Sequence, residues 1–156
     1  MTDQSQKKLA ESVLGPLLIG ASVNGLRFGA LQLIFEPVQN VPSEPYVNLA
    51  SAWTLYSARP DSFPENESDV PDTTQEQEIL TAASLRHKVV ASVEVLEPWP
   101  HLVLTFTDQS VLYLNGKNDR YEPWTAGLAY APAGKETQVI ACPGGELAFI
   151  LPQGGL

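Results

Sequence analysis

HLVLTFTDQSVLYLNG, residues 101–116, alternates apolar and polar side chains on either side of a short polar turn. Leu102, Leu104 and Phe106 fall on one face of an extended chain; beyond Thr107-Asp108-Gln109-Ser110, Val111 and Tyr113 alternate against Leu112 and Leu114. Successive side chains of a strand point to opposite faces, so this period of two predicts a β-hairpin. Asn115-Gly116 offers the left-handed conformations that a further turn needs. Just upstream, HKVVASVEVLEPWP (87–100) sets Val89, Ala91, Val93 and Val95 on one face. Three consecutive antiparallel strands are the simplest arrangement.

A fainter version of the pattern precedes it. In ALQLIFEP (30–37), Leu31, Leu33 and Phe35 point one way, Gln32 and Ile34 the other. Pro37, Pro42 and Pro45 then predict a loop, because each removes a ladder donor and fixes φ, and YVNLASAWTLYS (46–57) resumes a strand-like composition. Leu31, Leu33, Phe35 and Trp53 meet Leu102, Leu104, Phe106 and Trp124 at a constant offset of 71 residues. That match raises an internal duplication of 17–58 and 86–127. The match needs gaps elsewhere: the stretch before Leu31 does not align directly with EVLEPWP, nor Val47 and Leu49 with Leu112 and Leu114.

Around these meanders lie the other elements. Residues 4–14 have helical spacing, with Leu9, Val13 and Leu14 on one side, Lys7, Lys8 and Glu11 open to water, and Gly15-Pro16 as a stop. TTQEQEILTAASL (73–85) reads as a second short helix, capped by Thr73 or Thr74, with Glu76 to Glu78 near the positive end of its dipole. ETQVIACPGGELAFILP (136–152) holds two apolar runs around Pro143-Gly144-Gly145, the pattern of a hairpin or tight corner. Between the halves, 59–74 carries Pro60, Pro64 and Pro71 among Asp61, Glu65, Glu67, Asp69 and Asp72; few of its residues can pack, which predicts an exposed, partly disordered loop. The expectation is a single domain, 1–156, of α+β class and mostly antiparallel β. Two similar strand meanders form a two-sheet or partly closed barrel arrangement, with a short N-terminal helix.

Eighteen acids against nine bases give a net charge of −9, which argues against nucleic-acid binding and against an anionic membrane surface. The same charge serves solubility or the attraction of a basic partner. The lone Cys142 cannot form an internal bridge, so the fold must stand reduced, as suits the cytoplasm. The N-terminal stretch reads poorly as a signal peptide, and the apolar runs fall short of the ~20 residues that span a bilayer.

No catalytic or cofactor motif stands out, so no enzymatic activity, cofactor or metal is expected. His87 and His101 lack ligand spacing with each other or with Cys142, and both read as exposed strand-edge residues. Cys142, flanked by Ala141, Pro143, two glycines and Glu146, lacks the cationic setting of a reactive thiol. Trp53, Trp99, Trp124, Tyr113, Tyr121 and Tyr130 read mainly as core, with a ligand cavity or a protein contact as the other uses. Trp99, bracketed by Pro98 and Pro100, is the strongest candidate for an exposed contact.

LLIGASV (17–23), LQLIF (31–35), LVLTFTDQSVLYL (102–114), YEPW (121–124) and ACPGGELAF (141–149) together resemble small bacterial immunity proteins of polymorphic toxin and contact-dependent or type VI secretion systems. The long acidic, proline-rich insertion departs from that pattern. The resemblance implies a cytoplasmic protein that binds and neutralises a cognate toxin, for example a basic, nuclease-like one. On that reading the acids of the insertion, Asp61, Glu65, Glu67, Asp69 and Asp72, are expected to make electrostatic contact and Trp99 to anchor. Two alternatives stand beside it: a small β-barrel or sandwich ligand carrier or enzyme with an aromatic-lined cavity, and a structural homo-oligomer that pairs through exposed strands. Oligomeric state stays open.

Overall fold

The hairpin at 101–116 forms as its alternation predicts. In the computed structural model, which describes residues 1–155, β6 (Leu102–Phe106) and β7 (Val111–Leu114) pair antiparallel, and β5 (Val90–Val95) lies on the other side of β6. Leu102, Leu104, Phe106, Leu112 and Leu114 are all buried in the main core. The phase of β5 differs from the simple alternation. A bulge between Val90 and Ser92 leaves Ala91 exposed, so Val90, Val93 and Val95 oppose Phe106, Leu104 and Leu102. One extra residue in a strand shifts every side chain before it to the other face.

The first half repeats that plan. After helix α1 (Gln4–Leu18), strands β1 (Ser22–Arg27), β2 (Gln32–Glu36) and β3 (Glu44–Leu49) form an antiparallel meander, with a bulge between Val23 and Gly25. Pro45 lies inside β3 rather than in the preceding loop; the β2–β3 ladder ends at Ile34 and Tyr46, beyond which no donor to β2 is required. β4 (Trp53–Tyr56) then leaves this sheet and pairs with β7. Helix α2 (Gln75–Ser84) opens the second half, and after β5, β6 and β7 strand β8 (Trp124–Ala129) crosses back to pair with β3. β9 (Gln138–Ala141) and β10 (Leu147–Ile150) extend the first sheet as a hairpin through Pro143-Gly144-Gly145.

The result is two open antiparallel sheets, β1-β2-β3-β8-β9-β10 and β4-β7-β6-β5, with no closed barrel among the described residues. Each half gives its fourth strand to the other's meander. Element order α-β-β-β-β therefore recurs across 4–56 and 75–129. The gaps in the sequence match have a structural counterpart: the β1–β2 loop spans 28–31 against 96–101 for β5–β6, and the β2–β3 loop spans 37–43 against 107–110 for β6–β7.

The core lies between the sheets. Trp124, Phe35 and Phe106 are its largest fully buried side chains, and Trp53 joins them at 7% exposed. Burying one such side chain contributes roughly 1.5–3 kcal/mol. α1 closes one open side with Ala10, Val13, Leu14, Leu17 and Leu18, and it continues past Gly15-Pro16 to Leu18. Pro16 removes a hydrogen bond to the carbonyl of Ser12, but both residues are exposed, so water satisfies that carbonyl while Leu17 and Leu18 stay buried. Lys7 and Glu11 are half-buried rather than open to water: Glu11 accepts the Val95 N–H at 3.0 Å and Lys7 donates to the Val95 carbonyl at 2.9 Å. The pair stands in for a missing strand at that end of β5. α2 starts from a capping box, in which the Thr74 hydroxyl accepts the Gln77 N–H and the Gln77 side chain accepts the Thr74 N–H. No helix of the described residues is long and apolar enough to cross a membrane.

Candidate functional site

The acidic connection between the halves is not a loose loop. Residues 57–74 form a strap across the outer face of β4-β7-β6-β5, pinned at successive points. Arg59 bridges Glu94 (Nη1 to Oε2 2.6 Å) and lies over the Phe63 ring at 5.2 Å. Phe63 stacks on Tyr113 at 5.2 Å, and Val70 packs with Val103, Val111 and Tyr113 in a second, smaller core. The low hydrophobicity of the segment as a whole conceals these two apolar residues, and they set its path.

Hydrogen bonds fix the rest of the strap. The buried Tyr113 hydroxyl donates to the Pro64 carbonyl and accepts from Asn115 Nδ2 at 2.9 Å; burial raises its pKa well above the usual phenol range. Asn115 Nδ2 also donates to the Glu65 carbonyl at 3.0 Å, while Asn115 Oδ1 accepts the Lys117 N–H at 2.9 Å. Asn115-Gly116 thus corrects the sequence reading. Neither residue is left-handed; Asn115 is a buried bridge between strap and sheet, and Gly116 is needed for space. A Cβ at Gly116 would stand 2.0 Å from the Pro100 carbonyl oxygen.

His101 is also corrected. It is 6% exposed, packed beside Tyr113, with Nδ1 accepting the Gly116 N–H at 2.8 Å. Burial, aided by the Lys117 charge, lowers its pKa to about 4, so it is neutral at physiological pH. His87 is exposed at φ 74°. Cys142 is half-buried beside the β9–β10 turn, where burial and the charge of Glu122 push its thiol pKa up. No group of three or more His, Cys, Asp or Glu among the described residues is placed to hold a metal ion.

The strap meets the 115–123 loop in a surface cluster. Lys117 Nζ donates to Asn66 Oδ1 at 2.8 Å, lies 3.6 Å from Glu65 Oε1, and sits 5.0 Å from the centre of the Trp99 ring. Glu67 Oε1 accepts the Tyr121 hydroxyl at 2.6 Å and Asn118 Nδ2 at 3.4 Å. Asp69 accepts from Asn66 at 3.0 Å. The structure therefore brings Glu65, Glu67 and Trp99 together, with Asp69 adjoining. Asp61 and Asp72 are exposed elsewhere on the strap, and no hydrogen bond or ion pair among the described residues holds either. Trp99 is half-buried rather than projecting: Lys117 lies over its ring, and a Cβ on Gly145 would come within 2.8 Å of it.

Lys117, Asn66 and Asn118 were missed in the sequence, and Tyr121, read there mainly as core, is 41% exposed. The available signal was Lys117 as the first base after Lys88, at the start of a polar loop. Between Arg59 and Arg86 the chain carries Asp61, Glu65, Glu67, Asp69, Asp72, Glu76 and Glu78 and no base, so strap and α2 are acidic throughout. The aromatic residues considered for a cavity do other work: Trp124 and Tyr113 are fully buried core side chains, and Trp53 borders a cleft of only about 100 Å³ with Thr54, Leu55, Thr73, Glu78 and Thr81. Compared with protein-family models, curated proteins and solved structures, the chain matches none.

Proposed function

We propose that the chain is an immunity-type inhibitor that acts in the cytoplasm by binding a basic protein toxin, with no catalysis of its own. The observation that supports this reading is the acidic strap held rigidly over the second sheet. Its carboxylates are mostly exposed, while Phe63, Val70 and the Tyr113–Asn115 bridge fix the backbone that carries them. A surface ordered before encounter loses less conformational entropy on binding than a disordered acidic segment would. Exposed carboxylates accelerate encounter with a basic partner, and the lifetime of the complex falls to the aromatic residues at the strap's edge, Trp99 and Tyr121. Protection of a cell calls for nanomolar affinity, about −12 kcal/mol.

The test is recovery of the tagged full chain from its native host under toxin-producing conditions, with washes at low and moderate salt. The expected result is a stoichiometric basic protein whose growth inhibition this chain relieves. Replacing Asp61, Glu65, Glu67, Asp69 and Asp72 by alanine slows association with that protein by about tenfold or more at low salt and flattens its salt dependence. Recovery of the chain without any toxic protein would refute the reading, and unchanged kinetics at low salt would remove the strap from the interface.

A further inference from the structure

The two sheets have four edge strands; the chain closes two of them with its own hydrogen bonds and screens a third with α2. At β1, Val23 exchanges backbone hydrogen bonds with the 87–88 segment: its N–H donates to the Lys88 carbonyl at 2.9 Å, and its carbonyl accepts the His87 N–H at 2.7 Å. At β5, Val90 exchanges bonds with Gly20 and Ala21 at one end, and the Lys7–Glu11 pair takes both backbone groups of Val95 at the other. β4 faces Thr73 and, on α2, Glu78 and Thr81 across a cleft of about 100 Å³, so α2 screens this edge without hydrogen-bonding to it. The fourth edge is β10, and it is different. The Cys142 N–H donates to the Glu146 carbonyl at 2.8 Å, which sets the alternation in the β9–β10 hairpin. Ala148 and Ile150 turn their backbone groups toward β9, whereas Leu147, Phe149 and Leu151 turn theirs outward. Among the described residues, no hydrogen bond from another element reaches those three outward positions.

Edge strands are ordinarily blunted by a lysine, a proline, a bulge or a covering element. Leu147–Leu151, the sequence LAFIL, has no charge, no proline and no register shift, and it leaves Ile150 46% and Leu151 40% exposed. We propose that β10 pairs antiparallel with β10 of a second copy of this chain, joining two six-stranded sheets into one of twelve strands. The strand is its own complement. Placing a two-fold axis at Phe149 sets Leu147 opposite Leu151 of the second copy and Ala148 opposite Ile150 of the second copy, and all the outward backbone groups of 147, 149 and 151 find partners. Each copy carries −9, and this uncharged seam lets two such chains meet without opposing like charges across the strands. The contact is smaller than the ~1,600 Å² of a standard interface, so the dimer is weak and reversible.

Sedimentation equilibrium of the full chain, from about 1 to 500 μM, tests this in the range where edge contacts of that size associate. The expected result is a monomer–dimer equilibrium that Ile150→Lys weakens by about tenfold or more, because it puts a charge on the seam at a position already open to water. Leu151→Pro, which removes one outward donor and none of the β9–β10 ladder, weakens it likewise. Circular dichroism and thermal melts of both variants at low concentration match the parent. A chain that stays monomeric throughout the range overturns the proposal, as does a dimer that both variants leave intact. A monomer that instead takes up an added extended peptide along β10 overturns the second copy as occupant and points to a foreign strand.

Discussion

Replacing His101 by asparagine keeps a hydrogen-bond acceptor for the Gly116 N–H, since Oδ1 of asparagine falls near the position of imidazole Nδ1, but removes the titrating group. In the folded chain the His101 imidazole has a pKa of about 4, against 6.5 for an unperturbed histidine, because it is buried and faces Lys117. Protonation would also abolish the Nδ1 lone pair that accepts from Gly116. Between pH 6.5 and 4 the unfolded chain therefore binds a proton that the folded chain refuses, and acid favours unfolding. The stability associated with neutral His101 is full above pH 6.5 and lost as the pH falls to about 4. At about 1.4 kcal/mol per pH unit, the gap is worth about 3 kcal/mol. Urea unfolding of parent and His101→Asn at pH 7 and pH 4 isolates it: the stability difference between the two chains shifts by about 3 kcal/mol in favour of the variant on acidification. Asp108, held below the usual carboxylate range by Lys88 and Ser110, and Glu146, held down by the N-terminal amine and Gln6, also titrate in acid, but they do so in both chains and cancel. Equal losses in the two proteins would refute the assignment of a buried neutral imidazole.

Two further outcomes follow from the contacts beneath the strap. Tyr113→Phe strips the Pro64 carbonyl and Asn115 Nδ2 of a partner, which costs about 1–3 kcal/mol; amide hydrogen exchange across 61–70 should accelerate, and unchanged exchange there would mean that the aromatic stack alone holds the strap. Gly116→Ala drives a methyl into the Pro100 backbone, whose carbonyl also accepts Trp124 Nε1 at 2.7 Å; a loss of about 1–3 kcal/mol or more is expected by denaturant titration, with a change in tryptophan emission, and parental stability would show that the loop yields freely.

Much of this fold was legible because strand alternation is local. Leu102-x-Leu-x-Phe106 and Leu31-x-Leu-x-Phe35 need one buried face whatever they pair with, and Thr73-Thr74 ahead of Glu76 and Glu78 announces a helix start within a few residues. What escaped depends on distant partners. The bulges in β1 and β5 move one residue out of phase with no distinctive side chain to mark them. His101 looked like an edge residue because its burial is created by Tyr113, Gly116 and the strap rather than by its neighbours in sequence. The strap looked solvated because its average is acidic, whereas two apolar residues and the backbone carbonyls of Pro64 and Glu65 dock it. In the candidate surface, the acids were visible individually, but their gathering around Lys117 and Tyr121 arises only when the 115–123 loop folds back against 65–69.

The reciprocal exchange of β4 and β8 also dictates an order of events during synthesis. When the first four strands have left the ribosome, β3 lacks the neighbour it will take from β8, and β4 has no sheet to join until β7 exists. Leu33, Phe35 and Val47 of the early half reach their full burial only once β7 and β8 are available to complete the two sheets. Neither half is a folding unit. A nascent copy that meets another has an open place for the other's fourth strand.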